Sequence, residues 1–168
     1  LQTQFSKNVL ADTNDLAIVV DSVEELDGLS ENQIAAAAAA AKDRGHDGKW
    51  LIGMVNFTGN PVLDSLTNRG LRKKIMEASL LKANRDNAND NKQILLKMVR
   101  LRAERAKLFG SETHAEHVIA VQTAEHPDNV HAMLRKIAPA AARNAKAEAE
   151  DLKNSAGTDI ESWDWGFY

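Results

Sequence analysis

Leu16-Ala17-Ile18-Val19-Val20, then Ser30-Glu31-Asn32-Gln33-Ile34 running into alanines 35 to 41, then Trp50-Leu51-Ile52-Gly53-Met54-Val55 are the three pieces whose reading decides the fold. The β-branched runs at either end read as strands, at about 17–20 and 50–55. Between them, alanine loses no side-chain entropy on becoming helical, so the run from Ser30 to about Arg44 reads as a helix. Ser30 is placed as N-cap, Gln33 stands at the capping-box position, and Glu31 puts negative charge in the first turn. Lys42 and Arg44 suit the C-terminal end of the helix dipole, and Gly45 suits the left-handed residue that ends it. Both relative directions of the two strands are open, because a helix connects them. Alanines bury little area each and are most useful where two backbones come close, so this helix is expected to be inserted among larger ones.

Working outward, Leu1, Phe5, Val9 and Leu10 fall on one face of a helix ending near Thr13, and Asn14-Asp15 breaks it. Val23 to Leu26 reads as a short helical turn capped by Asp21 or Ser22 and closed by Gly28. Asn56 to Pro61 reads as a loop, Val62 to Leu66 as a short helix, and Asn68 to about Ala83 as a longer one with Leu71, Ile75, Ala78 and Leu81 or Lys82 inward. Arg85 to Asn91 is a polar break in which Asp90 or Asn91 caps the next helix.

That helix, about Lys92 to Phe109, carries Ile94, Leu95, Met98, Val99, Leu101, Leu108 and Phe109 on a face wide enough to require neighbours on more than one side. Gly110 ends it. A short helix from Ser111 or Thr113 carries Val118, Ile119 and Val121. Pro127 then opens a last helix to about Asn154, with Val130, Met133, Leu134, Ile137, Ala141, Ala145 and Leu152 inward and a kink expected at Pro139. The fold class is therefore mainly α with a small two-stranded β patch, and residues 1–168 are expected to form a single helical segment.

The chain has 168 residues, a formal charge of -3 and no cysteine. It is long enough for one domain with a real core. The charge gives no electrostatic reason to seek nucleic acid or an anionic membrane, and no apolar run is long enough to span a bilayer. The absence of cysteine rules out disulfides and thiolate metal sites. The opening residues already look like the middle of a helix, so a piece excised from a longer protein is expected.

Among the five histidines, His46, His114, His117, His126 and His131, only His114 and His117 share a helix face. They are three apart with Glu116 between them, unlike the H-E-x-x-H zinc pattern, and no third ligand is evident. A structural or surface pair is the preferred reading, so no catalytic, cofactor-binding or metal residue is assigned. Lys97, Arg100, Arg102, Arg105 and Lys107 make one helix basic. Without aromatic or glycine-rich partners, the stripe reads as a solvated face or as ion pairs to Glu148, Glu150 and Asp151. The loop Asn56 to Asn60, with Phe57, follows a strand and could meet an extended peptide by strand addition, although an ordinary connection is preferred.

Five motifs in order carry a resemblance: Leu1-Gln2-Thr3-Gln4-Phe5-Ser6-Lys7-Asn8-Val9-Leu10; Lys49-Trp50-Leu51-Ile52 ahead of Pro61; Asn87-Ala88-Asn89-Asp90-Asn91; Leu101-Arg102-Ala103-Glu104-Arg105-Ala106-Lys107-Leu108-Phe109-Gly110; and Trp163-Asp164-Trp165-Gly166-Phe167-Tyr168. Together they resemble the thimet oligopeptidase family of zinc metallopeptidases, nearest to its bacterial peptidyl-dipeptidases. The resemblance implies a two-lobed helical enzyme with a deep channel, in which one zinc ion cleaves short peptides and dipeptides leave from the C-terminus. It implies short peptides and the remainder of the same chain as partners, and a cytoplasmic setting is expected with it. The family's H-E-x-x-H helix and its downstream glutamate have no counterpart here, so no catalytic or zinc residue carries over. What remains resembles part of the non-catalytic lobe that walls the channel, with zinc belonging to the intact enzyme and not to these residues. The competing expectation is a free-standing helical interaction module. For the excised segment, self-association or an apolar patch near Trp163 and Trp165 is expected.

Overall fold

Alanine-rich α2, Glu31–Asp43, starts on the cap its sequence specifies. The Ser30 hydroxyl accepts the Gln33 amide at 3.4 Å, and the Gln33 side chain accepts the Ser30 amide at 2.9 Å. It ends in a Schellman turn, in which the His46 amide reaches the Ala41 carbonyl and the Gly45 amide the Lys42 carbonyl, both at 2.9 Å. Gly45 has φ +78°, the conformation glycine adopts at least cost.

The computed structural model describes residues 1–54 and 59–168. In chain order the elements are α1 (Gln2–Asp15), β1 (Ile18–Val20), a 3-10 turn (Val23–Leu26), α2, β2 (Trp50–Ile52), α3 (Gly59–Leu63), α4 (Arg69–Leu80), α5 (Lys92–Leu108), α6 (His114–Ile119) and α7 (Pro127–Ala156). The protein is mainly α, as expected. The strands pair antiparallel, Ile18 with Ile52, Val19 with Leu51 and Val20 with Trp50, which settles their direction.

Two such short strands are marginal alone and hold because helices cover them. The alanine helix supplies that cover, packing chiefly on β2. Ala37 and Ala41 are the buried contacts, so the small side chains bring a helix close to a strand. The apolar core is built from Val20, Leu26, Leu29, Ile52, Leu66 and Ile75 with their neighbours, and every member lies between residues 16 and 78.

Gly28 pins one edge of this core at φ +91°. A Cβ there would overlap the Ser65 carbonyl oxygen. The Asp27 carbonyl and carboxylate beside it accept the Thr67 amide at 3.0 Å and hydroxyl at 2.8 Å. Gly28→Ala is therefore expected to lower the unfolding free energy by about 2 kcal/mol, from left-handed strain and displacement of the Ser65 backbone, read as a reduced urea midpoint.

Several helix faces differ from the sequence expectation. In α1, Leu1 and Leu10 are exposed, and the residues that turn inward are Asn8, Asp12 and Thr13. The reason is local: the polar turn after α4 lies against α1 and offers hydrogen-bond donors where the sequence pattern anticipated an apolar neighbour. In α5, Leu95, Leu96, Val99, Leu101 and Leu108 are exposed, and Ala106 is its buried residue. In α7, Met133, Leu134 and Ile137 are exposed, and none of its thirty residues is buried. The core closes before α5 begins, so these faces find no cover within the described residues.

α7 is continuous through Pro139. The surrounding turns are exposed, so water can take the carbonyl that loses its donor. α3 begins at Gly59, earlier than the anticipated Val62. The proposed peptide-contact residues at 55–58, including Phe57, lie outside the described residues.

Candidate functional site

α2 meets β2 through the buried Ala37 and Ala41, and Ala36 and Ala40 beside them border open space. A groove of about 560 Å³ runs along this seam, lined by Leu29, Ala36, Ala40, Leu51, Ile52 and Val62. Gln33 near the start of α2 and Asp43 and Arg44 near its end supply the polar groups. The Arg44 guanidinium is already engaged, donating to the Asn14 carbonyl at 2.8 Å and to the Asn14 side chain at 3.3 Å. Between these polar ends the lining is apolar.

Two polar clusters join distant parts of the chain. In the first, the Asp12 carboxylate is fully buried and accepts from the Ala83 amide at 2.7 Å, from the Asn87 side chain at 3.0 Å and from the Arg85 guanidinium. The hydrogen bond from Arg85 is the largest influence on its acidity. Against the opposing effect of burial, and with help from Asn87 and Ala83, it holds the Asp12 carboxyl well below the ordinary carboxylate range. Asn8 and Asn91 extend the seam: the Asn8 amide donates to the Asn91 oxygen at 2.9 Å, and the Asn91 amide donates to the Phe5 carbonyl at 2.9 Å. With Asn91 so used, Asp90 caps α5 by accepting the Lys92 amide at 2.9 Å.

In the second cluster, Asp164 is fully buried and Arg72 is 1% exposed. Arg72 Nη2 donates to Asp164 at 2.8 Å, Nη1 to the Leu66 and Thr67 carbonyls at 2.7 and 3.1 Å, and Nε to the Trp163 carbonyl at 3.2 Å. The Phe167 ring lies 4.0 Å from the same guanidinium. Arg69 forks onto Asp164 through Nε at 3.1 Å and Nη2 at 2.7 Å, and also reaches the Asp159 carbonyl at 2.9 Å. Burial alone would raise the pKa of Asp164. The hydrogen bonds from Arg69 and Arg72, with the Glu161 amide, outweigh it and hold the carboxyl at about 2.

The histidine pair does not form a ligand set. Among the described residues no group of three or more His, Asp and Glu side chains is placed to hold a metal ion. Glu116 is used in the capping box of α6, accepting the Thr113 amide at 3.2 Å and the Glu112 amide at 2.8 Å. His117 stacks on Phe109 with ring centroids 5.0 Å apart. Nδ1 of His114 is enclosed without a hydrogen-bond partner among the described residues, and no third donor faces it. These residues therefore do not fit a zinc ion. His126 caps α7, its Nδ1 accepting the Asp128 amide at 3.2 Å. The basic stripe of α5 makes no ion pair with Glu148, Glu150 or Asp151 among the described residues.

Sequence reading located the Trp163–Tyr168 cluster and the Asn87–Asn91 break but missed the buried charges that fix them. The available signals were spacings: Phe5, Asn8 and Asp12 on one face of α1, and Arg69 and Arg72 one turn apart on α4.

Residues 62–168 match Peptidase family M3. Over its whole length the chain is 36% identical to the "Dipeptidyl carboxypeptidase" of Escherichia coli (strain K12). It is 31% identical to the "Dipeptidyl carboxypeptidase" of Salmonella typhimurium and 31% identical to the "Oligopeptidase A" of Haemophilus influenzae. It spans about a quarter of the length of these relatives, 25%, 25% and 26% respectively. With residues 62–168 matching the family and the whole of the chain aligning with these relatives, the chain belongs to peptidase family M3.

Proposed function

We propose that this chain is a non-catalytic helical segment of a longer zinc-dependent peptidase, residues 1–168 forming part of the lobe that shapes the substrate channel. In that enzyme short peptides would be cut to release C-terminal dipeptides, with the zinc and its ligands supplied by other parts of the polypeptide. The setting would be cytoplasmic, with no nucleic acid and no membrane among the partners. The observation that carries this reading is the uncovered apolar surface of α5 and α7, where Leu96 is 58% and Leu134 50% exposed. Faces of this kind are normally buried against another element. A chain spanning a quarter of its relatives' length has an evident candidate for that cover in the rest of the polypeptide.

The 168-residue chain, incubated with equimolar zinc and dialysed at neutral pH, is expected to retain no stoichiometric metal by atomic absorption. It is also expected to release no dipeptide from short peptides. Tight zinc uptake or hydrolysis by the chain alone would overturn the reading. The same exposed faces favour one other reading, a free-standing interaction module. A reading frame that continues beyond Tyr168 into an H-E-x-x-H helix decides for the peptidase, and a stop codon there decides for the module. Light scattering of the isolated chain is expected to show self-association.

A further inference from the structure

We propose that α5–α7 and the tail after them form a strap, rooted at the turn before α5 and fastened at its far end by Asp164, which can swing off the α1–α4 body without unfolding it. The buried apolar cluster of the body has no member beyond residue 78, so the strap takes no part in it. Its root is the Asn8–Asn91 and Asp12–Arg85 contact with α1. Its far end returns to α4 through the charged cluster of Asp164 with Arg69 and Arg72.

The tail is also tied to α7. Lys153 pairs with Asp159 at 2.7 Å, and Trp165 and Tyr168 share a shallow pocket with Asp151, Leu152 and Ser155. Tail and α7 would therefore move together. A few directional charge contacts give a two-state fastening, closed when all are made and open when the carboxylate leaves, because each remaining partner can then be hydrated.

The chain has no cysteine, so introduced pairs can be spin-labelled cleanly. Lys42→Cys with Lys146→Cys spans body and strap, and Lys42→Cys with Glu77→Cys reports on the body alone. In both Asp164→Asn and Arg69→Gln, the strap pair is expected to broaden or lengthen by about 5 Å or more while the body pair keeps its distance. Arg69→Gln serves as the second variant because Arg69 is half exposed and its loss strands no buried charge. The Phe167 and Tyr168 amides, which bond the Asp164 carbonyl at 3.0 and 3.2 Å, are expected to exchange at least about tenfold faster in both variants. A strap distance that stays at its original value, tail amides that stay protected, or a body pair that broadens in step with the strap pair would each overturn the proposal. No peptide or metal enters the experiment, so its failure leaves the proposed function untouched.

Discussion

Arg72→Met is expected to lower the unfolding free energy by about 3–5 kcal/mol, seen as a large fall in the urea midpoint with helical circular dichroism as the probe. The size follows from where the charge sits. The guanidinium is 1% exposed and serves four acceptors, the Leu66 and Thr67 carbonyls within the body and the Trp163 carbonyl and Asp164 carboxylate of the tail. Methionine fills the space but leaves two body carbonyls without their donor. Asp164 keeps Arg69 and the Glu161 amide, so the carboxylate is weakened but not abandoned. Arg72→Lys should recover little, because an ammonium cannot fork across acceptors in different directions. Arg72→Met combined with Asp164→Leu should recover part of the loss, since removing both charges ends the burial of an underpaired carboxylate. A single variant as stable as the parent would mean that the cluster is ornamental.

Much of the body could be read from residue type. The start and stop of α2 and the two strands rest on local rules, as does the proline that opens α7 further along, and such rules need only a few neighbouring residues to operate. Where α5 and α7 would send their apolar faces was legible as periodicity, yet the partner was not, because periodicity names a face and not what covers it. The inward side of α1 was misread for a related reason. Leu1 and Leu10 made the more apolar stripe, and only tertiary placement of Ala83, Arg85 and Asn87 makes Asp12 worth burying. The same holds for Asp164, whose partners stand more than ninety positions earlier in the chain. Family membership was legible because it resides in ordered motifs. A candidate groove was not, since it depends on the small size of alanines at one seam.

Asp12→Ala is expected to cost about 3 kcal/mol, because the buried Ala83 amide and the Asn87 side chain lose their acceptor and Arg85 loses its principal partner. Arg85 is partly exposed and has Asp15 at 3.8 Å, so it can turn toward solvent, which keeps the figure below that of Arg72. Asp12→Asn should fall between the parent and Asp12→Ala, since an amide oxygen can still accept from Ala83. The same carboxylate makes a pH prediction. Its folded pKa lies below its unfolded value, chiefly through the Arg85 hydrogen bond, so between those values the unfolded chain binds the extra proton and stability rises with pH. The contribution is complete above about pH 4 and is lost as pH falls through the folded value. Asp164, held at about 2, adds to the loss over the same acid limb. Urea midpoints measured from pH 5 down to about pH 2 should therefore fall steeply in the parent and less steeply in Asp12→Ala. Equal slopes would mean that Asp12 is no more acidic in the folded protein than in the unfolded chain, and that α1 is held to the turn before α5 by something other than this charge.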